Sequence, residues 1–296
     1  MKLTDHEAAS VAEKVINAYK PYKRNEFTVI ASIFSRDKRT NEIKLETIAS
    51  GNKCYKGKVD GMLTDCHAEV LARRSFVHKY LDNDKDTPEE VGLFTSLLPC
   101  GMFSIDGFSH DNTPINDRII PTIYGTVCRG REFSNLTLYP RTKPGKRQSE
   151  ILLNMSCSDK ILKWLHLGIQ GKRLKKNVKL SCLVFNQPIP IFVVAYLTKN
   201  VPNLEIFATS VEFLIEANIT SSISFWTDFI YVEKLSEGRK QGSKLIVDNN
   251  GGLAPKIQSK LSRPNLNATS AYVNNEYLIK LIEFKKWRKG WTTNKN

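Results

Sequence analysis

Three short segments, far apart along the chain, constrain its fold more than any other feature. They are Asp65-Cys66-His67-Ala68-Glu69, Leu98-Pro99-Cys100-Gly101 and Met155-Ser156-Cys157-Ser158-Asp159-Lys160. Each is weak alone, because a lone histidine before a helix more often caps or packs than binds a metal. Together they supply one imidazole, two thiols and a carboxylate two residues past the imidazole. One nitrogen and two sulfur donors suit a tetrahedral zinc ion with one open position, the arrangement of a catalytic site. Cys100 follows His67 by 33 positions and Cys157 lies 57 further on. A fold that uses them must bring three remote segments to one point. Each adjoins an expected helix start, where the dipole and free amides favour a thiolate.

The pattern around these segments predicts a layered α/β domain. Residues 5–19 read as a helix capped by Asp5, with Ala8, Val11, Ala12, Val15 and Ile16 on one face. Residues 27–34 read as a strand, and residues 44–50 alternate and pair with it as a hairpin. A helix is expected over 67–81 and a buried strand over 91–98. Residues 158–167 read as a helix closed by Gly168. Strands are expected at 180–185 and 191–197 around a Pro188/Pro190 break, and a strand or short helix at 211–215. Residues 274–289 read as an amphipathic basic helix. Residues 104–121 and 139–148 read as loops, and neither marks a domain boundary because the chemical residues fall on both sides of each. The 296 residues therefore read as one domain, 1–296.

Composition narrows the partners. The chain carries 44 Lys and Arg against 30 Asp and Glu, a net charge of +14, which suggests a polyanion such as RNA or DNA. The apolar run 191–197 is far short of the roughly 20 residues that span a membrane. The start, MKLTDHEAAS, lacks the apolar core of a secretory signal. These features predict an intracellular protein, nuclear or cytoplasmic, with no membrane partner. Six cysteines, none in a CxxC pair, argue against zinc-finger, thioredoxin-like and disulfide-framework readings. The loop cations Arg141, Lys143, Lys146 and Arg147 form a candidate phosphate clamp for RNA.

The wider sequence resembles the adenosine deaminases acting on RNA. The resemblance is carried by DCHAEVLARRSF, LLPCG, RTKPG, MSCSDKILKW and LGIQG, and runs from about Lys53 to Gly171. In that family the second zinc cysteine falls in the SCSDKI stretch, which accounts for the missing CxxC. RTKPGKR and the later EGRKQG are similar to the branch that converts adenosine 37 to inosine beside the anticodon of alanine tRNA. The resemblance implies a cytidine-deaminase-like layered fold, a mixed sheet flanked by helices with zinc at helix N-termini. It implies tRNA as partner, with no separate RNA-binding domain and no obligatory protein partner.

It also implies roles for particular residues. His67, Cys100 and Cys157 would hold zinc, and Glu69 would carry a proton from water to N1 of adenine and then to the departing amino group. Asn52, with Lys53 beside it, lies where the family approaches the substrate nucleotide. A buried inositol hexakisphosphate would be held by Lys53, Arg73, Arg74, Lys160, Lys163 and Trp164, with Lys260, Tyr277, Lys280 and Trp291 from the C-terminal part. Asp65 with Lys160 would relay hydrogen bonds between that site and the zinc ligands. Some positions depart from the family: Lys163 stands where Arg is usual, Met102 where Asp is frequent, and Asn267 and Ala271 where a Tyr and a Lys are expected. Two other readings compete. A cytidine deaminase would ordinarily carry the PCxxC pair that is missing here. A non-catalytic RNA-binding subunit would be free to lose Glu69, which is present.

Overall fold

A computed structural model describes residues 1–20, 26–55, 59–104, 119–122, 125–128, 140–143, 154–213, 220–248, 251–269 and 272–288. The helices are α1 (Asp5–Tyr19), α2 (Ala68–Tyr80), α3 (Cys157–Leu167), α4 (Ile191–Asn200), α5 (Arg263–Thr269) and α6 (Asn275–Trp287). The strands are β1 (Ile30–Arg36), β2 (Ile43–Ser50), β3 (Asn52–Cys54), β4 (Asp65–His67), β5 (Glu90–Thr95) and β6 (Ile119–Thr122). They continue as β7 (Gly125–Cys128), β8 (Lys179–Phe185), β9 (Glu205–Ala208), β10 (Ile223–Thr227), β11 (Val232–Ser236) and β12 (Arg239–Lys240). Eight strands form one mixed sheet in the order β12-β11-β10-β2-β1-β5-β8-β9, and β3–β4 and β6–β7 form two small ribbons. Among the described residues, only the β5–β8 and β8–β9 pairs in the large sheet are parallel.

Strand alternation divides the core into two layers. Ile30 and Phe34 of β1, with Cys182 and Val184 of β8, face α1 through Val11, Ala12 and Val15. Ala31 and Ile33, with Leu183 and Phe185, face the other way, onto α2, α3 and α6. The period of two thus places helices on both sides, as the mixed-sheet reading expects. Each fully buried Val or Leu contributes roughly 1.5–3 kcal/mol. Phe34 lies opposite Gly92 across the β1–β5 ladder, and a Cβ added at Gly92 would run into the Phe34 ring.

Several expectations are met and others corrected. The 44–50 hairpin partner is β2, paired with β1 from Ile30 opposite Ser50 to Arg36 opposite Ile43. Residues 158–167 are helical, with Cys157 as the first helical residue and Gly168 as the C-cap at φ 82°. The α1 cap is Thr4, not Asp5: its hydroxyl accepts from Glu7 N while Glu7 reaches back to Thr4 N, a reciprocal capping box. The expected strand at 191–197 is α4. It is the crossover between parallel β8 and β9, a connection that favours a helix. Of its apolar residues Val193 and Leu197 point inward at i and i+4, while Ile191 is 87% exposed. Residues 211–213 adopt neither helix nor strand, and 214–215 lie outside the described residues. The end of the expected 104–121 loop is β6.

Glu46 is a buried carboxylate on β2. Burial would push its carboxyl up, but the Lys79 ammonium at 2.7 Å, aided by the Ser35 hydroxyl at 2.6 Å and Tyr80 hydroxyl at 2.8 Å, holds it below its usual value. A lowered carboxyl stabilises the fold above its unfolded value, and the contribution fades as pH falls through the folded value. Denaturation profiles should therefore show stability declining as pH drops below about 4.5, its unperturbed value, and Glu46→Gln should flatten that decline. Gly92→Val should cost about 1–3 kcal/mol by overpacking against Phe34, read from denaturant midpoints.

Candidate metal and nucleobase site

The three remote segments converge. β3 and β4 pair antiparallel with Asn52 opposite His67 and Cys54 opposite Asp65. His67 ends β4 and is the N-cap of α2, and Ala68 N donates to Gly51 O at 2.9 Å. Cys157 opens α3, whose cap Ser156 accepts from Asp159 N. Cys100 stands in a turn before the short 3₁₀ segment Met102–Ser104, not at an α-helix start. Ser158 fastens the two cysteine segments: its amide donates to Cys100 O at 3.0 Å, and its hydroxyl accepts from Phe103 N at 3.0 Å. Gly101 has φ 105°, and a Cβ there would strike the Ser156 side chain, so glycine is needed beside Cys100.

His67 Nδ1 lies 3.8 Å from Cys100 Sγ and 3.7 Å from Cys157 Sγ. The three donor atoms all fall within 4.8 Å of one another. Tetrahedral zinc with bonds of about 2.3 Å to sulfur and about 2.0 Å to nitrogen separates its ligands by roughly 3.5–3.8 Å. The donor set and its spacing therefore fit a zinc ion. Glu69, in the first turn of α2, is buried, and its Oε2 has no hydrogen-bond partner in the protein. It stands two residues past His67, its charge acts on Cys157, and it is not a member of the three-donor group. A Cys54–Asp65–His67 group is equally compact. Asp65 is committed elsewhere, however, so the His67–Cys100–Cys157 set is the better cation site.

Asp65 is the electrostatic centre. Lys143 lies 3.2 Å from one carboxylate oxygen, and Lys160 bonds the other. Burial would raise the Asp65 carboxyl, yet Lys143, Lys160 and His67 hold it far below the ordinary carboxylate range. Lys143 also donates to Cys157 Sγ at 2.9 Å. Burial would lower the Lys143 ammonium, but Asp65, Cys100 and Cys157 hold it well above its usual value. In the thiol pair, the hydrogen bond from Cys157, then Lys143 and His67, outweigh burial and keep Cys100 low, whereas burial and the neighbouring Cys100 charge push Cys157 up.

Lys143 corrects the sequence reading. It is 1% exposed, and Arg141 is equally buried, so neither is the solvent-facing phosphate contact expected of a basic turn. A charged residue in a loop reports nothing about burial until its partner, here Asp65, is known. Lys146, Arg147 and Trp291 lie outside the described residues. Asn52 is half-buried on β3, its Nδ2 donating to Phe27 O at 3.4 Å and its Oδ1 without a partner, and Lys53 beside it is half-buried too.

A cation cluster lies behind the site. Arg73 Nε donates to Ile169 O at 2.7 Å and Arg74 Nη1 to Leu261 O at 2.8 Å. Burial, and then Arg73, Lys160, Lys285 and Arg74, hold the Lys163 ammonium well below its usual value. Burial pushes the Tyr277 phenol up against the opposing charge of Arg73, and Trp164 packs in the core on the same helix as Lys160 and Lys163. Arg263 acts on Arg74, Arg173 on Arg73 and Lys285 on Lys163; the basic stretches Lys172 to Lys179 and Lys285 to Lys289 read in the sequence as alternative RNA contacts, and nothing there separates Arg263 from other surface cations. Two expected members turn elsewhere. Lys280 is half exposed and pairs with Glu276 one turn back at 2.6 Å. The Lys260 ammonium sits 3.2 Å over the Tyr231 ring.

Asp65→Asn leaves Lys143 and Lys160 without their buried counter-charge, and should cost about 3–5 kcal/mol, measured by equilibrium unfolding.

Sequence comparisons agree with this geometry. Residues 89–189 match the family model of the adenosine-deaminase (editase) domain, a span that includes Cys100 and Cys157. The chain is 28% identical over 262 residues to tRNA-specific adenosine deaminase 1 of Saccharomyces cerevisiae, covering 69% of this chain and 61% of that protein. It is 30% identical over 179 residues to tRNA-specific adenosine deaminase 1 of Drosophila melanogaster, covering 51% of this chain and 45% of the relative. Double-stranded RNA-specific editase B2 of Mus musculus is 27% identical over 184 residues, covering 50% of this chain and 25% of the relative. The chain thus spans between a quarter and three fifths of the length of these relatives. Residues 89–189 are thus similar to an adenosine-deaminase (editase) domain, and the chain resembles the adenosine deaminases acting on RNA.

Proposed function

We propose that the chain is a zinc-dependent hydrolytic deaminase that converts adenosine to inosine in tRNA, with adenosine 37 of an alanine tRNA as its target. The observation that carries this reading is the buried, unpartnered Oε2 of Glu69 beside a His67–Cys100–Cys157 donor set. A carboxylate so placed has one evident task, moving a proton. Two relatives named as tRNA-specific adenosine deaminases support the substrate class, and the net charge of +14 suits an RNA partner.

Zinc, when bound by His67, Cys100 and Cys157, supplies the Lewis acidity that makes water nucleophilic near neutral pH. Glu69 accepts the proton of the attacking water and passes it to N1 of the adenine ring. Once oxygen bonds to C6, Glu69 takes the remaining proton from that oxygen and delivers it to the exocyclic amino group, the bond from C6 to that nitrogen breaks, and ammonia leaves. Lys143 and Asp65 keep Cys157 and His67 in register during these steps. The target base must leave its stack, which costs less in a single-stranded loop than in a duplex.

We further propose that the cations around Lys163 hold inositol hexakisphosphate. Burial and neighbouring cations disfavour the Lys163 ammonium, and a compact polyphosphate offers several negative charges to such a group at once. Arg73, Arg74, Lys160, Lys163 and Tyr277 would hold it, joined by Arg173, Arg263 and Lys285, and it would serve the fold rather than the reaction.

Incubation with tRNA should yield inosine, detected by nucleoside mass spectrometry. Glu69→Gln should retain metal and tRNA binding but lose about 100- to 10,000-fold in rate. Uridine formation instead would indicate a cytidine deaminase, and turnover by Glu69→Gln within tenfold of wild type would assign the proton to another group. Denatured native protein should release one hexakisphosphate per chain, seen by phosphorus NMR. Stable, active protein without any such molecule would rule out the polyanion.

A further inference from the structure

We infer that Arg288, at the C-terminal end of α6, is a positioning residue for the second sulfur ligand, acting through Asp159 on the segments that carry Cys157 and Lys143. The inference rests on the reading of His67, Cys100 and Cys157 as zinc ligands, although neither Arg288 nor Asp159 is one of them. Arg288 places Nε 3.1 Å and Nη2 2.8 Å from Asp159 Oδ1, and both side chains are almost wholly buried. The other oxygen, Oδ2, accepts from Arg141 N at 2.8 Å and from the Ser156 hydroxyl at 2.6 Å. Ser156 N in turn donates to Arg141 O at 2.7 Å.

One carboxylate therefore joins the end of α6, the start of α3 and residues 140–143. Cys157 sits between Ser156 and Asp159 in this knot. Lys143 stands two residues past Arg141, with its ammonium 2.9 Å from Cys157 Sγ. Moving Asp159 would displace the thiolate and the cation that stabilises it together. Arg288 sets its charge against the buried Asp159, and its planar guanidinium brings two donors, Nε and Nη2, onto the one oxygen Oδ1 while Oδ2 is left to Arg141 N and the Ser156 hydroxyl, a geometry that a point charge does not reproduce. The same helix carries Tyr277 and Lys285 to the cation cluster, so Arg288 is where α6 reaches the metal ligands. Side chains that orient ligands in this way typically change metal affinity or activity 10- to 100-fold when removed.

The test uses purified full-length wild type, Arg288→Lys, which keeps the charge but loses the fork, and Arg288→Gln, which loses both. Zinc release to a chromogenic chelator, the sulfur-to-metal absorption of the cobalt-substituted protein, and kcat and KM on tRNA are measured beside thermal melting. The expected result for Arg288→Lys is near-native melting, zinc release about tenfold faster, a shifted cobalt band, and a kcat about tenfold lower with little change in KM. Arg288→Gln should show larger effects, and if it does not fold, the lysine variant decides alone. Native release rate, cobalt spectrum and kcat in Arg288→Lys would overturn the inference, whatever its melting point, by assigning Arg288 a structural role only. A wild type that gives no sulfur–cobalt band would overturn it together with the zinc reading.

Discussion

The buried Asp65 carboxylate is the interaction on which the rest of the site depends. It lies on β4, two residues before His67, and binds Lys143 and Lys160 from two other segments. Lys160 belongs to the helix that Cys157 opens, and Lys143 touches Cys157 itself. One negative charge thus registers a strand, a helix and an otherwise irregular segment. Without it two cations would face each other in a desolvated place, at a cost comparable to a large fraction of a domain's stability. The arrangement draws the candidate site from a strand end, a turn and a helix start and not from one continuous loop.

The surrounding fold gives that triad a rigid frame. The large sheet is covered on both faces, and the site forms where β4 runs into α2 and where the β5 segment meets α3. Ser158 sets the approach of Cys100 to Cys157 through its hydrogen bonds, and Gly101 through a contact with Ser156 that leaves no room for a side chain. Behind them, burial and the neighbouring cations hold the Lys163 ammonium down, and this is where the proposed polyanion would bind. The two centres share Lys160, which bonds Asp65 and lies close enough to depress Lys163. An anion behind the site and a metal in front would therefore hold the same helix.

How much of this was legible in the sequence depends on the kind of signal. His67, Cys100 and Cys157 could be singled out because the residue types carry the chemistry, and their meeting point confirms only their geometry. Helices with clear periodicity, such as α1 and α3, were placed to within a residue or two. The run at 191–197 failed because its composition is strand-like, while its structure is imposed by the crossover that parallel β8 and β9 require. β10, β11 and β12 passed unnoticed because they are short and have weak alternation, with their stability supplied by the neighbouring β2. Lys143, Lys260 and Lys280 illustrate a deeper limit. Positive charge can be counted in a sequence, but whether it meets a carboxylate, a ring or solvent is decided by residues distant along the chain.

The central claim is that this pocket holds a single zinc ion through one imidazole and two thiolates. X-ray absorption at the zinc edge of the purified protein tests it most directly. The account predicts stoichiometric zinc with two sulfur neighbours at about 2.3 Å and two nitrogen or oxygen neighbours at about 2.0 Å. Absence of zinc, or a shell of sulfur alone, would contradict it.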